Sequence, residues 1–218
     1  SESPTIVSLR GFPGTGKTSL LETMRNGQEH LFEVSLLRQA AREGFAFWDP
    51  SHAEAVLNGT VSLEAAVQEL IGGHSLFIGD DVAPLSQLCA LAGGQCRVVL
   101  ALLLAPNWML RARRRWRQSR YYVPPEEQAL LDIGPDEETL TNFEETAGNN
   151  PGVECMYLDA SDYPVRQITL AEARMLVGLV PQTAADLLYL ETVDLECRAA
   201  DDQAGVDRGT CRALLDRL

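Results

Sequence analysis

Apolar and polar residues come in blocks along this chain, with short β-like runs giving way to stretches of helical spacing. Thr5–Leu9 (TIVSL) is a strand-sized apolar run that opens into a glycine-rich segment. Thr18–Met24 reads as the helix that follows. Over His30–Glu43 the apolar residues fall at 31, 32, 36, 37, 40 and 41, which is helical spacing. Phe45–Trp48 (FAFW) predicts a short aromatic strand ending at Asp49-Pro50. Ser62 is placed to cap a helix through Leu70, and Gly72-Gly73 stop it. Ser75–Gly79 predicts a third strand running into Asp80-Asp81, and Pro84–Leu91 a helix ended by Gly93-Gly94. Arg97–Leu104 (RVVLALLL) is apolar without alternation, the pattern of a strand covered on both faces.

A basic helix over about 107–120 and an acidic helical segment over about 124–147 come next. A turn at Asn149–Gly152 leads to a fifth strand, Val153–Asp159. Leu170–Leu179 and a stretch from about 182 onward have helical character. Strands separated by helices predict an α/β fold: a five-stranded parallel sheet with helices on both faces. Residues 1–180 form the expected main domain, and 181–218 a helical extension or tail.

Composition narrows the class. Apolar content of 45% and charged content of 22% suit a soluble globular chain. No apolar run reaches the roughly 18 residues of a membrane span, and the SESPT start has no signal character. The five cysteines are dispersed without a CxxC pair, which fits reduced thiols and a cytoplasmic setting, and gives no metal spacing. The net charge of −13 is uneven: residues 1–120 hold 12 basic and 11 acidic side chains, residues 121–218 hold 6 and 20. Such an acidic body is not a general nucleic-acid binder. One stretch, Arg111–Arg120 (RARRRWRQSR), carries six of the seventeen arginines and can still form a local anion site.

The single lysine of the chain, Lys17, sits in Gly11-Phe12-Pro13-Gly14-Thr15-Gly16-Lys17-Thr18. This fits GxxxxGK[ST] at every fixed position, after a strand and before a helix. Glycines let the backbone curl so that N–H groups point at phosphate oxygens, and the helix adds its positive end. The expected cradle is Gly11, Pro13, Gly14, Thr15, Gly16, Lys17, Thr18 and Ser19. Lys17 supplies a compact point charge between the β- and γ-phosphates, a role that a planar guanidinium does not fill. Thr18 offers a hydroxyl to Mg²⁺. Asp80, or its neighbour Asp81, is the expected carboxylate for that metal, because it follows an apolar strand. ATP and Mg²⁺ are therefore the expected cofactors.

With these residues the chain resembles the P-loop kinases of the nucleoside, nucleotide and polynucleotide kinase type over roughly residues 5–180. The resemblance implies a three-layer P-loop NTPase fold with an arginine-rich lid over about 107–147. It implies that Asp49, after the second strand, binds the acceptor hydroxyl and takes its proton, with Glu43 and His52 as weaker candidates. The other reading of Asp49 is an Asp-Pro turn residue. At helical spacing Arg111, Arg114 and Arg115 lie on one side of the basic helix, and Arg113, Arg117 and Arg120 on another. Arg111, Arg115 and one of Arg113 or Arg117 are the expected lid cations, the remainder pairing with the acidic segment. Asp159 and Tyr163, in MYLDASDYPV, are weaker candidates for contact with the nucleotide base. A switch GTPase does not fit: Asp80 is followed by no DxxG, and a chain with one lysine has no NKxD.

The activity expected is transfer of the γ-phosphoryl group of ATP to a hydroxyl. The acceptor is a small molecule or nucleoside-like compound. The alternative is a hydroxyl of DNA or RNA, including a phage-type 5-hydroxymethyluracil DNA kinase, with Trp116, Tyr121 and Tyr122 stacking beside the arginines. Heavy arginine use suits a GC-rich genome, bacterial or phage; in the latter case the setting is the host cytoplasm. A non-catalytic nucleotide-binding regulator is the third reading.

Overall fold

The computed structural model describes residues 4–78, 87, 90, 94–122, 124–128, 133–178, 197–198, 201–202 and 207–215. Asp80 and Asp81 lie outside the described residues, as do most of the helix expected over Pro84–Leu91 and most of the stretch from 182 onward.

Among the described residues, six strands form one sheet: β1 (Thr5–Arg10), β2 (Ala46–Trp48), β3 (Ser75–Ile78), β4 (Arg97–Leu104), β5 (Val153–Asp159) and β6 (Arg166–Ile168). Their order is β2-β3-β1-β4-β5-β6. The first five are parallel, with Leu9 beside Ile78 on one side and Ala101 on the other. The sixth strand departs from the five expected. It pairs antiparallel with β5, Asp159 opposite Arg166 and Tyr157 opposite Ile168. Its three residues carry no period of their own; the pairing edge of β5 makes them a strand.

The helices are α1 (Lys17–Arg25), α2 (Ser35–Glu43), α3 (Pro50–Leu57), α4 (Leu63–Ile71), α5 (Asn107–Gln118), α6 (Glu137–Gly148) and α7 (Leu170–Gly178). Alternation along the strands divides the core between the two faces of the sheet. Val7, Leu9, Val99, Ala101 and Leu103 pack with Leu20 and Met24 of α1 and Leu37 and Ala40 of α2. Leu100, Leu102, Leu104 and Tyr157 pack with Leu140 and Phe143 of α6 and Ala173 and Val177 of α7. This is why β4 reads as unbroken apolar sequence: both of its faces are covered.

Local chemistry sets the helix boundaries. Asp49 caps α3, accepting from Ser51 N at 2.9 Å, with Pro50 at the first helical position. Ser62 caps α4 as its sequence position suggests, through Ala65 N at 3.5 Å. The acidic segment is not one helix. A single turn, Pro125–Gln128, is followed by α6, which starts where Asp136 accepts from Thr139 N at 2.9 Å. Gly134-Pro135 separate the two. A Cβ on Gly134 would fall 1.7 Å from Asn107 Oδ1, so only glycine passes α5 at this point.

The chain divides into compact units Ser1–Leu179 and Val180–Leu218. In the second, the residue before α8 (Thr210–Leu215), Gly209, donates through its N–H to the buried Asp201 at 2.6 Å. Among the described residues, no helix is long and apolar enough to cross a membrane.

Candidate phosphate-binding site

Parallel strands send their C-terminal ends to one edge of the sheet, and the loop after β1 emerges there from the centre of the order. Residues 11–16 curl between β1 and α1. Gly14 and Gly16 have φ of 91° and 96°, in the left-handed region that side chains disfavour. Gly11 is required for a different reason: a Cβ there would lie 2.7 Å from Thr15 Oγ1 and 3.0 Å from the Leu103 carbonyl. Thr15 is buried and braces the turn, its N–H and hydroxyl both donating to the Phe12 carbonyl at 3.2 and 2.9 Å. The Lys17 ammonium reaches back and donates to the Gly11 carbonyl. No side chain caps α1 at Gly16, and its first turn holds no acid. The amides and positive end of the helix therefore face the loop, with Thr18 and Ser19 exposed beside them.

A cleft of about 1200 Å³ opens over this loop. Its floor is Gly14–Ser19; one wall is α5, through Arg113, Trp116 and Arg117, with Tyr121 beyond; the other is the segment Ala160–Tyr163. Arg113 ties the parts together. Its guanidinium donates to Gly14 O at 3.2 Å, to Ala160 O at 3.2–3.3 Å and to Ser161 O at 2.9 Å. Arg114, 4% exposed, donates through Nε to Pro13 O and through Nη1 to Ile133 O. Arg120 stacks over Trp116, 4.6 Å from the ring centroid. Lys17, Arg113, Arg117 and a helix N-terminus against Glu22 and Asp162 give the cleft a net positive lining, suited to an anion.

The residues expected at the site separate into groups. Gly14, Thr15, Gly16, Lys17, Thr18 and Ser19 converge on the cleft, with Pro13 at its rim. On α5 it is the side bearing Arg113 and Arg117 that faces the cleft. Arg111 is half-buried and Arg115 exposed, neither in its lining. Tyr163 lines the cleft, its hydroxyl 3.4 Å from Thr23 Oγ1. Asp159 instead shapes the turn, accepting from Ser161 N at 3.0 Å and pairing with Arg166 at 3.3 Å. Asp49 follows β2 at the same sheet edge but is not in the cleft lining; it is the cap of α3. The Ser51 hydroxyl, seconded by His52 and the Ser51 amide, holds its carboxyl below the usual carboxylate range. Among the described residues no cluster of metal-binding side chains occurs. Thr18 is the one expected metal ligand within them, and its exposed hydroxyl suits that chemistry. The sequence carries no sign of the carbonyl-holding role of Arg113 and Arg114: nothing in a stretch with six arginines marks which ones turn to backbone oxygens.

The strand, glycine loop and helix, set in a mostly parallel sheet covered on both faces, define a P-loop α/β fold. No family model matches the chain. Two curated proteins, each described as a "Putative ABC transporter ATP-binding protein", from Streptomyces avermitilis and Streptomyces coelicolor, are 62% identical over 42 residues. That is 19% of this chain, and the match spans about 8% of their length. Among solved structures, one from the PezAT toxin–antitoxin system of Streptococcus pneumoniae is similar at TM-score 0.48 and 14% identity, covering 86% of this chain and 84% of that one. A gluconokinase from Sinorhizobium meliloti is similar at 0.35 and 16%, covering 80% and 90%. A "putative kinase" from Chloroflexus aurantiacus is similar at 0.38 and 13%, covering 73% and 90%.

Proposed function

We propose that the protein is an ATP-dependent phosphotransferase that moves the γ-phosphoryl group to a hydroxyl of a small molecule or nucleoside-like acceptor. The observation that carries this reading is the pairing of the glycine loop and Lys17 with an arginine-bearing wall across one cleft. The loop amides and the start of α1 bind the phosphate chain. Lys17 leaves the Gly11 carbonyl to take up phosphate oxygens. Arg117 faces the same space and neutralises charge that spreads over the transferred group. Thr18, with Asp80 or Asp81, would hold Mg²⁺, which would offset phosphate charge. Asp49 orients the acceptor hydroxyl and receives its proton. It is ionised at neutral pH and stands at the edge where the loop emerges. Arg111 and Arg115 lie outside the cleft lining and are assigned no contact with the ligands in this reading.

A polynucleotide acceptor is the second reading, favoured by one observation: Trp116, Tyr121 and Tyr122 are 56%, 63% and 81% exposed next to Arg117 and Arg120. Incubation with γ-labelled ATP and a panel of nucleosides, 5′-hydroxyl oligonucleotides and hydroxymethyl-modified DNA separates the two. Label in nucleosides supports the first reading. Label confined to nucleic acid replaces it with the second. ATP binding without label in any acceptor leaves the non-catalytic regulator.

A further inference from the structure

Arg114 is buried on the inner side of α5 although it carries a charge, and the cleft does not include it. Its planar fork spans two chain segments, Nε on Pro13 O and Nη1 on Ile133 O. Its stem lies against the loop: a Cβ on Gly14 would sit 3.3 Å from Arg114 Cγ. The second segment is seated independently, with Asn107 Nδ2 donating to Pro135 O at 3.4 Å and Gly134 packed on the same side chain. Arg114 thus joins a fixed shelf to the glycine loop.

The carbonyl and N–H of one trans peptide point in opposite directions. Holding the Pro13 carbonyl toward α5 therefore turns the Gly14 N–H away from α5. The next peptide is held by other means: its carbonyl, of Gly14, accepts from Arg113, and its N–H, of Thr15, donates to Phe12 O. Gly14 has no side chain and a positive φ, so nothing in its own residue fixes that peptide plane. We infer that Arg114 is a positioning residue: by gripping the Pro13 carbonyl it aims the Gly14 N–H at the phosphate chain, without touching the nucleotide itself. This rests on the nucleotide binding proposed above. An arginine is needed because one flat group must satisfy two carbonyls from separate segments; a lysine ammonium on a flexible stem satisfies one at a time.

The test compares the full chain with Arg114→Met and Arg114→Lys, each well below its own melting temperature, using ADP and adenosine as probes. Arg114→Met is expected to weaken ADP binding about ten- to a hundredfold, the worth of one hydrogen bond to a charged group, and to leave adenosine binding within about threefold. Arg114→Lys recovers part of the loss. In the wild-type protein, the ¹⁵N-resolved Gly14 amide proton moves downfield when ADP is added, a readout that needs no variant to fold. Equal losses for ADP and adenosine, or ADP affinity unchanged in a folded variant, overturn the assignment, as does a Gly14 amide that ignores ADP. Wild-type protein that binds no ADP overturns the functional reading as well. Wild-type binding with an indifferent Arg114→Met overturns only this inference.

Discussion

Replacing Lys17 by methionine keeps the stem and removes the ammonium. In the structure that ammonium donates to the Gly11 carbonyl within the loop. Binding a triphosphate exchanges this bond for contacts to oxygens of two phosphates. Hydrogen bonds that involve a charged group contribute about 1.5–3 kcal/mol each, and the ammonium–carbonyl bond given up is of the same kind. Two are gained for one lost, so the net is about 1.5–3 kcal/mol, or a loss of affinity of at least about tenfold at about 1.4 kcal/mol per decade. Losing the Gly11 bond costs folding about 1.5–3 kcal/mol, a fall of about 3–12 °C in melting temperature for a chain of this size. Lys17→Arg does not restore binding, since the flat guanidinium cannot enter the curl between Gly11 and Gly16. Calorimetric titration with ATP and with AMP reads the effect, AMP serving as the ligand that lacks β- and γ-phosphates. Lys17→Met that binds ATP within threefold of wild type, with its fold intact, refutes the reasoning.

Asp49→Ala is expected to abolish labelled transfer while ATP affinity stays within about threefold; retained turnover removes Asp49 from the chemistry. Because the folded carboxyl of Asp49 is depressed from its ordinary 3.8, its capping contribution is complete above that value and lost as pH falls through the lower folded pKa. Thermal melts between pH 2 and 5 should show a shallower acid slope for Asp49→Asn, and identical slopes would dismiss the cap as a source of pH dependence. Gly134→Ala forces a methyl into Asn107 Oδ1 and is expected to destabilise by about 1–3 kcal/mol in urea titration, partly relieved in the double variant with Asn107→Ala. Leu37→Ala empties a fully buried site between α2 and the sheet and should cost about 2–5 kcal/mol in the same assay.

Much of the frame is visible in the sequence because it rests on local pattern. The unbroken apolar run of β4 and the fixed glycines after β1 each follow from what their neighbours in the chain demand. Asp49-Pro50 shows how the same letters admit two outcomes. Asp-Pro suits a turn, yet Asp at the cap with Pro at the first helical position also opens a helix, and the following Ser51-His52-Ala53 lets α3 form. The acidic stretch has helical spacing on both sides of Gly134-Pro135, so its interruption depends on the passage across Asn107, a contact between distant parts of the chain. The side of α5 that meets the cleft was open for the same reason. Helical spacing separates Arg111 and Arg115 from Arg113 and Arg117, but only the seating of α5 on Gly14 and Ala160 decides which pair turns inward.

The four bonds from Arg113 have a mechanical consequence. They weld the glycine loop, the middle of α5 and the turn after β5 into one stiff rim, and Arg114 extends that rim to Ile133. A flap hinged at the first residue of α5 would have to tear all of these contacts on every cycle. The middle of α5 is in this way tied to the floor of the cleft rather than free to lift from it.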